Sequence, residues 1–164
     1  MIKFVASTSA LVGTYSVGSR PWGLAFDGAN VWVSNANVNT VTKVLASNGS
    51  VVGTYNVGSN PTGLAFDGTN IWVSNFAGST VSKLLASNGS VVGTYAAGAG
   101  AIRLVFDGNY IWVPNRNANN VTKLVAATGA VVGTYPVGSM PSAMVFDGET
   151  IWSINSNEGT IGKL

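Results

Sequence analysis

The chain contains no cysteine, which excludes disulfides, thiolate chemistry and sulfur-ligated metals. It contains no histidine either, so the commonest general base and the commonest metal ligand are both missing. Acidic residues number only six, few for a calcium site, which takes about six to eight oxygens. Eight lysines and arginines give a net charge of +2, too small a surplus to indicate a nucleic-acid partner. No apolar run reaches the length of a membrane span. These absences predict no cofactor, no metal, no nucleic-acid partner, no membrane partner and no enzymatic activity.

Charged residues make up 9% of the chain, against about 25% in an ordinary soluble protein. Asn, Ser, Thr and Gly must therefore wet the surface. That balance favours an extracellular or cell-surface setting. The segment Met1-Ile2-Lys3-Phe4-Val5 superficially suggests a short signal peptide, but it falls in register with a repeat and is read as structure.

The repeat dominates what is present. Phe-Asp-Gly begins at Phe26, Phe66, Phe106 and Phe146, in steps of forty residues without slippage. Gly-Thr-Tyr begins at Gly13, Gly53, Gly93 and Gly133 on the same period. Trp32, Trp72, Trp112 and Trp152 follow it, as do Lys3, Lys43, Lys83, Lys123 and Lys163. Residues forty apart share a station in the repeat.

One unit reads as four short strands. Gly63–Phe66 is an apolar run, and Asp67-Gly68 suits a hairpin turn with positive φ at both residues. Ile71–Ser74 is rich in β-formers. Val81–Ala86 and Val91–Tyr95 flank a turn with Asn88-Gly89 at its centre. Helical spacing is missing throughout. Four antiparallel strands in forty residues is the pattern of a β-propeller blade. Continuous apolar runs such as Val31-Trp32-Val33 fit sheets packed on both faces.

The expected architecture is an all-β propeller, one domain over 1–164, with four blades at about 21–58, 61–98, 101–138 and 141–164 plus 10–18. The last blade stops in its third strand, so the N-terminal strand is expected to complete it. Unpaired edges invite association. Two chains joined by a twofold axis would then share one eight-bladed ring. A four-bladed monomer, or a portion of a larger propeller with no activity of its own, are the alternatives.

The stretch Gly63-Leu64-Ala65-Phe66-Asp67-Gly68-Thr69-Asn70-Ile71-Trp72-Val73-Ser74-Asn75 resembles bacterial propeller repeats of the YVTN and NHL-like type. The blades of virginiamycin B (streptogramin) lyases are similar. The resemblance implies rings of about six to eight blades, often in secreted or surface proteins. It also implies that lyase activity does not carry over, since that chemistry uses a histidine and a bound metal ion.

The residues weighed for chemistry mostly read as architecture. Asp27, Asp67, Asp107 and Asp147 suit turn residues whose side chains cap local N–H groups. The tryptophans suit inter-blade core. The lysines are expected on a solvated outward position. Variation concentrates in two places: the entry to each first strand, and the loop after each second strand. Both loop types are expected at one end of the ring, where varied polar and aromatic residues suit recognition. The candidate ligand-binding residues are Arg20, Trp22, Asn35, Asn37, Asn75, Phe76, Arg103, Asn115, Arg116 and Asn155. Trp22 has no aromatic counterpart in the other copies, which favours a ligand contact. The third copy departs most, with Ala101, Arg103, Pro114 and Arg116, and its loop is expected to be reshaped. The function expected is a non-catalytic scaffold or recognition module for a carbohydrate, peptide or surface partner.

Overall fold

A computed structural model describes residues 1–164 and contains only β-strands. A two-stranded sheet opens the chain, β1 (Ile2–Phe4) with β2 (Leu11–Thr14). The first blade holds β3 (Pro21–Phe26), β4 (Asn30–Asn35), β5 (Thr40–Leu45) and β6 (Val51–Asn56). The second holds β7 (Pro61–Phe66), β8 (Asn70–Asn75), β9 (Thr80–Leu85) and β10 (Val91–Ala96). The third holds β11 (Val105–Phe106), β12 (Tyr110–Asn115), β13 (Asn120–Val125) and β14 (Val131–Pro136). The last sheet has three strands, β15 (Pro141–Phe146), β16 (Ile151–Asn155) and β17 (Thr160–Lys163). Every pairing is antiparallel and links sequence neighbours. This is the blade arrangement of a propeller.

The Asp-Gly turns are wider than the expected two-residue form. Only the glycine has positive φ, +99° at Gly28 and +97° at Gly68. Asp27 N–H donates to Asn30 O at 3.0 Å, and Asp27 Oδ1 accepts from the amides of Ala29 (2.9 Å) and Asn30 (2.6 Å). The carboxylate satisfies donors that a tighter turn would not expose, so aspartate is selected for its side chain as much as its backbone.

Successive blades stack face to face. Trp32 and Val41 of the first blade pack on Ile71, Val73, Leu84 and Ala86 of the second. Trp72 and Val81 repeat the contact with Ile111, Val113, Leu124 and Ala126 of the third. Each blade therefore has a leading face, carrying its Trp, and a trailing face toward the blade before. Gly23 and Gly63 sit where first strands of neighbouring blades nearly touch: a Cβ at Gly63 would meet the Arg103 backbone, and one at Gly23 the Thr62 carbonyl. Arg103 occupies that station in the third blade. There the first strand is cut to Val105–Phe106, with a lone bridge from Ala101 to Asn115. The following loop keeps its shape, since Ala118 N–H donates to Asn115 O as Val38 N–H does to Asn35 O. The irregularity of the third copy thus lies in its first strand, not in the loop.

The two lysines inside the stack are not solvated, although Lys163 on the last sheet is exposed. Lys43 and Lys83 are only 5% and 4% exposed. Lys43 Nζ donates to the carbonyls of Ala86 (2.7 Å) and Ser87 (3.2 Å), and Lys83 Nζ to those of Ala126 (2.7 Å) and Ala127 (3.0 Å). Each ammonium also lies about one ring-width from its own blade's tryptophan, 5.2 Å for Lys43–Trp32 and 5.0 Å for Lys83–Trp72. The lysine is an inter-blade clasp: carbonyls and an aromatic face replace the water that its ammonium loses between the sheets.

The expected pairing of the N-terminal strand with the last sheet is not made within one chain. β2 pairs with β1, and β17 keeps a free edge. The reason is the order of stacking. β1–β2 lies on the trailing face of the first blade, where Lys3 Nζ donates to Ala46 O at 2.6 Å. β15–β17 lies beyond the third blade, so three full blades separate the two partial sheets.

Candidate ligand-binding face

The two varied loop types do share one end of the molecule. Ala36 N–H donates to Arg20 O, Phe76 N–H to Asn60 O, Arg116 N–H to Gly100 O and Ser156 N–H to Met140 O. The linkers entering each blade are thereby laced to the loops after each second strand. The Asp-Gly turns gather at the other end with the turns between third and fourth strands, as Ala46 N–H bonding Ala29 O shows.

Four of the candidate residues turn inward. Asn35, Asn75 and Asn115 are fully buried, and Asn155 nearly so. Asn35 Oδ1 accepts from Gly18 N–H at 2.9 Å, and its Nδ2 donates to Thr40 (3.1 Å) and Thr42 (2.9 Å). Asn115 makes the same set with Gly98, Asn120 and Thr122. The Asn35 and Asn115 amides lock the linker to the blade interior, Asn75 Oδ1 is buried without a partner, and burial keeps all four from a ligand. Their strict repetition was the available signal, since a residue that repeats in every blade builds the blade.

The remaining candidates lie nearer the surface. Arg20 and Asn37 are exposed, and Phe76 and Arg116 are partly buried. Arg103 is exposed beside a cavity of about 320 Å³ along the inner strands, lined also by Gly23, Leu24, Gly63, Leu64 and Met144. Against these three arginines the loop end offers one acid, Glu158, whose Oε1 already accepts from Ser139 N–H at 2.8 Å. The end is therefore cationic. Arg20 has φ +54°, but Asn60 (+54°), Gly100 (+75°) and Met140 (+55°) share that station, so the conformation belongs to the linker rather than to a site.

Trp22 needs a different account. It is 48% exposed, with the Arg20 guanidinium 5.5 Å from its ring centroid. Its counterparts Thr62 and Ile102 are 4% and 6% exposed, and Thr62 Oγ1 lies 3.0 Å from Ser74 Oγ and 3.4 Å from Ala101 O of the blade after. Trp22 itself lines a cavity with Met1, Ile2, Leu24 and Val33, on the trailing side of the first blade where Leu24 and Phe26 are also exposed.

The aspartates are turn anchors, not a metal ring, and no group of three or more metal-binding acids forms anywhere in the chain. Partial burial pushes the carboxyls of Asp27, Asp67 and Asp107 up, yet the indole and amide hydrogen bonds together outweigh it and hold each below its ordinary value. Asp147 is lowered to about 2, chiefly by the Trp152 indole and then by the Thr150 and Glu149 amides.

No family model and no curated protein matches the sequence. Solved structures do match in fold. A hydrazine synthase from Kuenenia stuttgartiensis is 19% identical with a TM-score of 0.82, over 99% of this chain and 49% of that one. The computationally designed Ika4 protein is 17% identical with a TM-score of 0.81, over 93% of this chain and 98% of that one. A streptogramin B lyase is 18% identical with a TM-score of 0.71, over 88% of this chain and 54% of that one. The chain thus spans about half the length of the two natural proteins, and the likeness is one of propeller fold.

Proposed function

We propose that the chain is a non-catalytic propeller module that pairs with a second copy in one eight-bladed ring and presents its varied loops as a recognition surface. The observation that carries this reading is a pair of open, apolar blade faces at the two ends of the stack. The trailing face of the first blade leaves Trp22 (48%), Leu24 (59%) and Phe26 (56%) exposed. The leading face of the last sheet leaves Val145 (58%), Ile154 (49%) and Ile161 (68%) exposed, around a concavity of about 390 Å³. Exposed apolar surface on this scale marks an interaction site.

The junctions inside the chain supply the template. At the first junction Ser34 Oγ donates to Thr62 O at 2.6 Å, so those two stations face each other. At the open faces the same stations hold Ile154 and Trp22. There Ile154 replaces the serine hydroxyl and the facing station carries the Trp22 ring, and each is exposed only while its counterpart is missing. A second copy supplies that counterpart at both ends of the stack, and twofold symmetry closes the ring. The expected outcome is a light-scattering mass of twice 16.8 kDa. A mass of one chain at micromolar concentration overturns the dimer.

Recognition rests on the cationic loop end. Arg20, Arg103 and Arg116 stand there over a uniform scaffold, which suits an acidic glycan or peptide. Glycan-array and peptide-array binding that disappears on combined Arg20→Ala and Arg103→Ala supports this. Binding unchanged by that variant removes the loop end from the reading.

A further inference from the structure

The shared blade needs one third strand, and the chain carries two for that place: Met1–Phe4 and Ile161–Leu164 occupy the same stations. Resting on the dimer reading above, we propose that β1 of the second copy takes the place beside β16, and that β17 is displaced.

The side chains favour β1. In the three complete blades a valine on the second strand faces a hydroxyl residue on the third: Val33–Thr42, Val73–Ser82 and Val113–Thr122. All six are buried. In the last sheet the valine station holds Ser153, paired with Gly162. That pair is short of volume by most of a side chain. The same third-strand station on β1 is Ile2. Ser153 with Ile2 restores the pair with its partners exchanged, polar where the others are apolar and apolar where the others are polar. Such a volume-conserving exchange is the kind a packed interior tolerates best.

The exposed face of β1 agrees. Ile2 and Phe4 are both 58% exposed. Their counterparts on the complete blades, Thr42 with Val44 and Ser82 with Leu84, are buried against the blade before. β1 carries an apolar face that awaits the third blade of another copy.

The lysine clasps agree as well. Lys3 already donates to Ala46 O. Were β17 the third strand, Lys163 would have to displace it. Lys43 and Lys83 each reach carbonyls 43 and 44 residues onward, whereas Lys123 bonds no carbonyl and lies 3.8 Å from the Tyr110 ring centroid. The carbonyls at its missing station belong to Ala6 and Ser7, in the turn that follows β1. Seating β1–β2 of the second copy as one hairpin delivers both to Lys123.

Hydrogen exchange on the dimer tests the strand assignment. β1 seated between β2 and β16 should protect the amides of Ile2, Lys3 and Phe4 about hundredfold more than those of Ile161 and Gly162. A substitution cycle tests the pairing. Ile2→Thr with Ser153→Val rebuilds the pair of the complete blades, and the double variant should dissociate at least about fivefold less than the two single effects predict. Protection confined to residues 161–163, or no coupling between positions 2 and 153, overturns the β1 assignment while a two-chain mass leaves the dimer standing. A one-chain mass removes the dimer and the strand assignment together.

Discussion

The indole Nε1 of Trp72 donates to Oδ2 of Asp67 at 2.7 Å, tying an inter-blade core residue to the turn that precedes its strand. The bond recurs in the other repeats at 2.8, 2.6 and 2.7 Å, for Trp32–Asp27, Trp112–Asp107 and Trp152–Asp147. Trp72 is fully buried, so its N–H has no water to turn to. The Asp thus sets the turn and orients the largest side chain of the core.

Asp67→Ala should therefore cost more than a turn residue normally does. The substitution strands the Trp72 indole N–H and releases the amides of Thr69 and Asn70. The expected loss is about 2–3 kcal/mol. Urea denaturation with a lowered midpoint and an unchanged slope checks it. A loss below about 0.5 kcal/mol would show that the indole finds another acceptor.

Acid should weaken the fold in a defined window. All four aspartates have folded-state pKa values below the ordinary carboxylate value, because hydrogen bonds from indole and amides favour the charged form. A group depressed in this way stabilises the fold above its unfolded pKa, and that contribution is lost as pH falls through the folded one. For Asp147 the folded value is about 2. Stability should hold down to about pH 4 and then decline toward pH 2. With no histidine in the chain, the urea midpoint should be flat between about pH 5 and 8. A transition near neutral pH would contradict this account.

The lysine series separates junctions within the chain from those between chains. Lys83→Met removes a buried ammonium and leaves the carbonyls of Ala126 and Ala127 without their donor. It should destabilise the single chain by about 2 kcal/mol. Lys123 makes no such bonds within one chain; it contacts the Tyr110 and Trp112 rings and attracts the Asp107 carboxylate. Lys123→Met should leave the unfolding midpoint of dilute chain within about 0.5 kcal/mol and weaken dimerisation about tenfold. Equal effects of the two substitutions on the dilute chain would dismiss the distinction.

The period of forty made the fold legible, because each motif fell at the same place in a strand or turn. Two kinds of residue were harder to read, for opposite reasons. Asn35 and Lys43 are polar and looked like surface, but each is buried with its partners in a linker or a neighbouring blade, up to 44 residues away. Partners at that distance are invisible to local pattern. Trp22 is apolar and unique, which suggested a ligand contact. In the proposed ring its station would face that of Ile154, 132 residues onward, as Ser34 faces the Thr62 carbonyl within the chain. The blade's own chemistry repeats and can be read. The open faces at the ends of the stack occur once each, and recognising them needs the stacking order.

Ser9 tests that closure by a small change. It has φ +56°, while its counterparts Gly49 and Gly89 sit at +78° and +77°. A left-handed conformation costs a non-glycine residue roughly 1 kcal/mol. The β1–β2 turn is otherwise like the others, with Ser9 N–H donating to Val5 O as Gly49 N–H does to Leu45 O. Space matters too. A Cβ at Gly49 would overlap the Tyr15 ring, and one at Gly89 the Tyr55 ring. In the closed ring the tyrosine facing Ser9 is Tyr135 of the other copy, whose ring must shift aside for the serine. Ser9→Gly should therefore stabilise the hairpin by about 0.5–1 kcal/mol and also tighten the dimer. The reverse change, Gly49→Ser, should destabilise the single chain, because there the tyrosine is already in place. Urea midpoints and light scattering on dilution read the two effects separately. A Ser9→Gly chain that associates more weakly than the parent would show that this turn does not meet Tyr135.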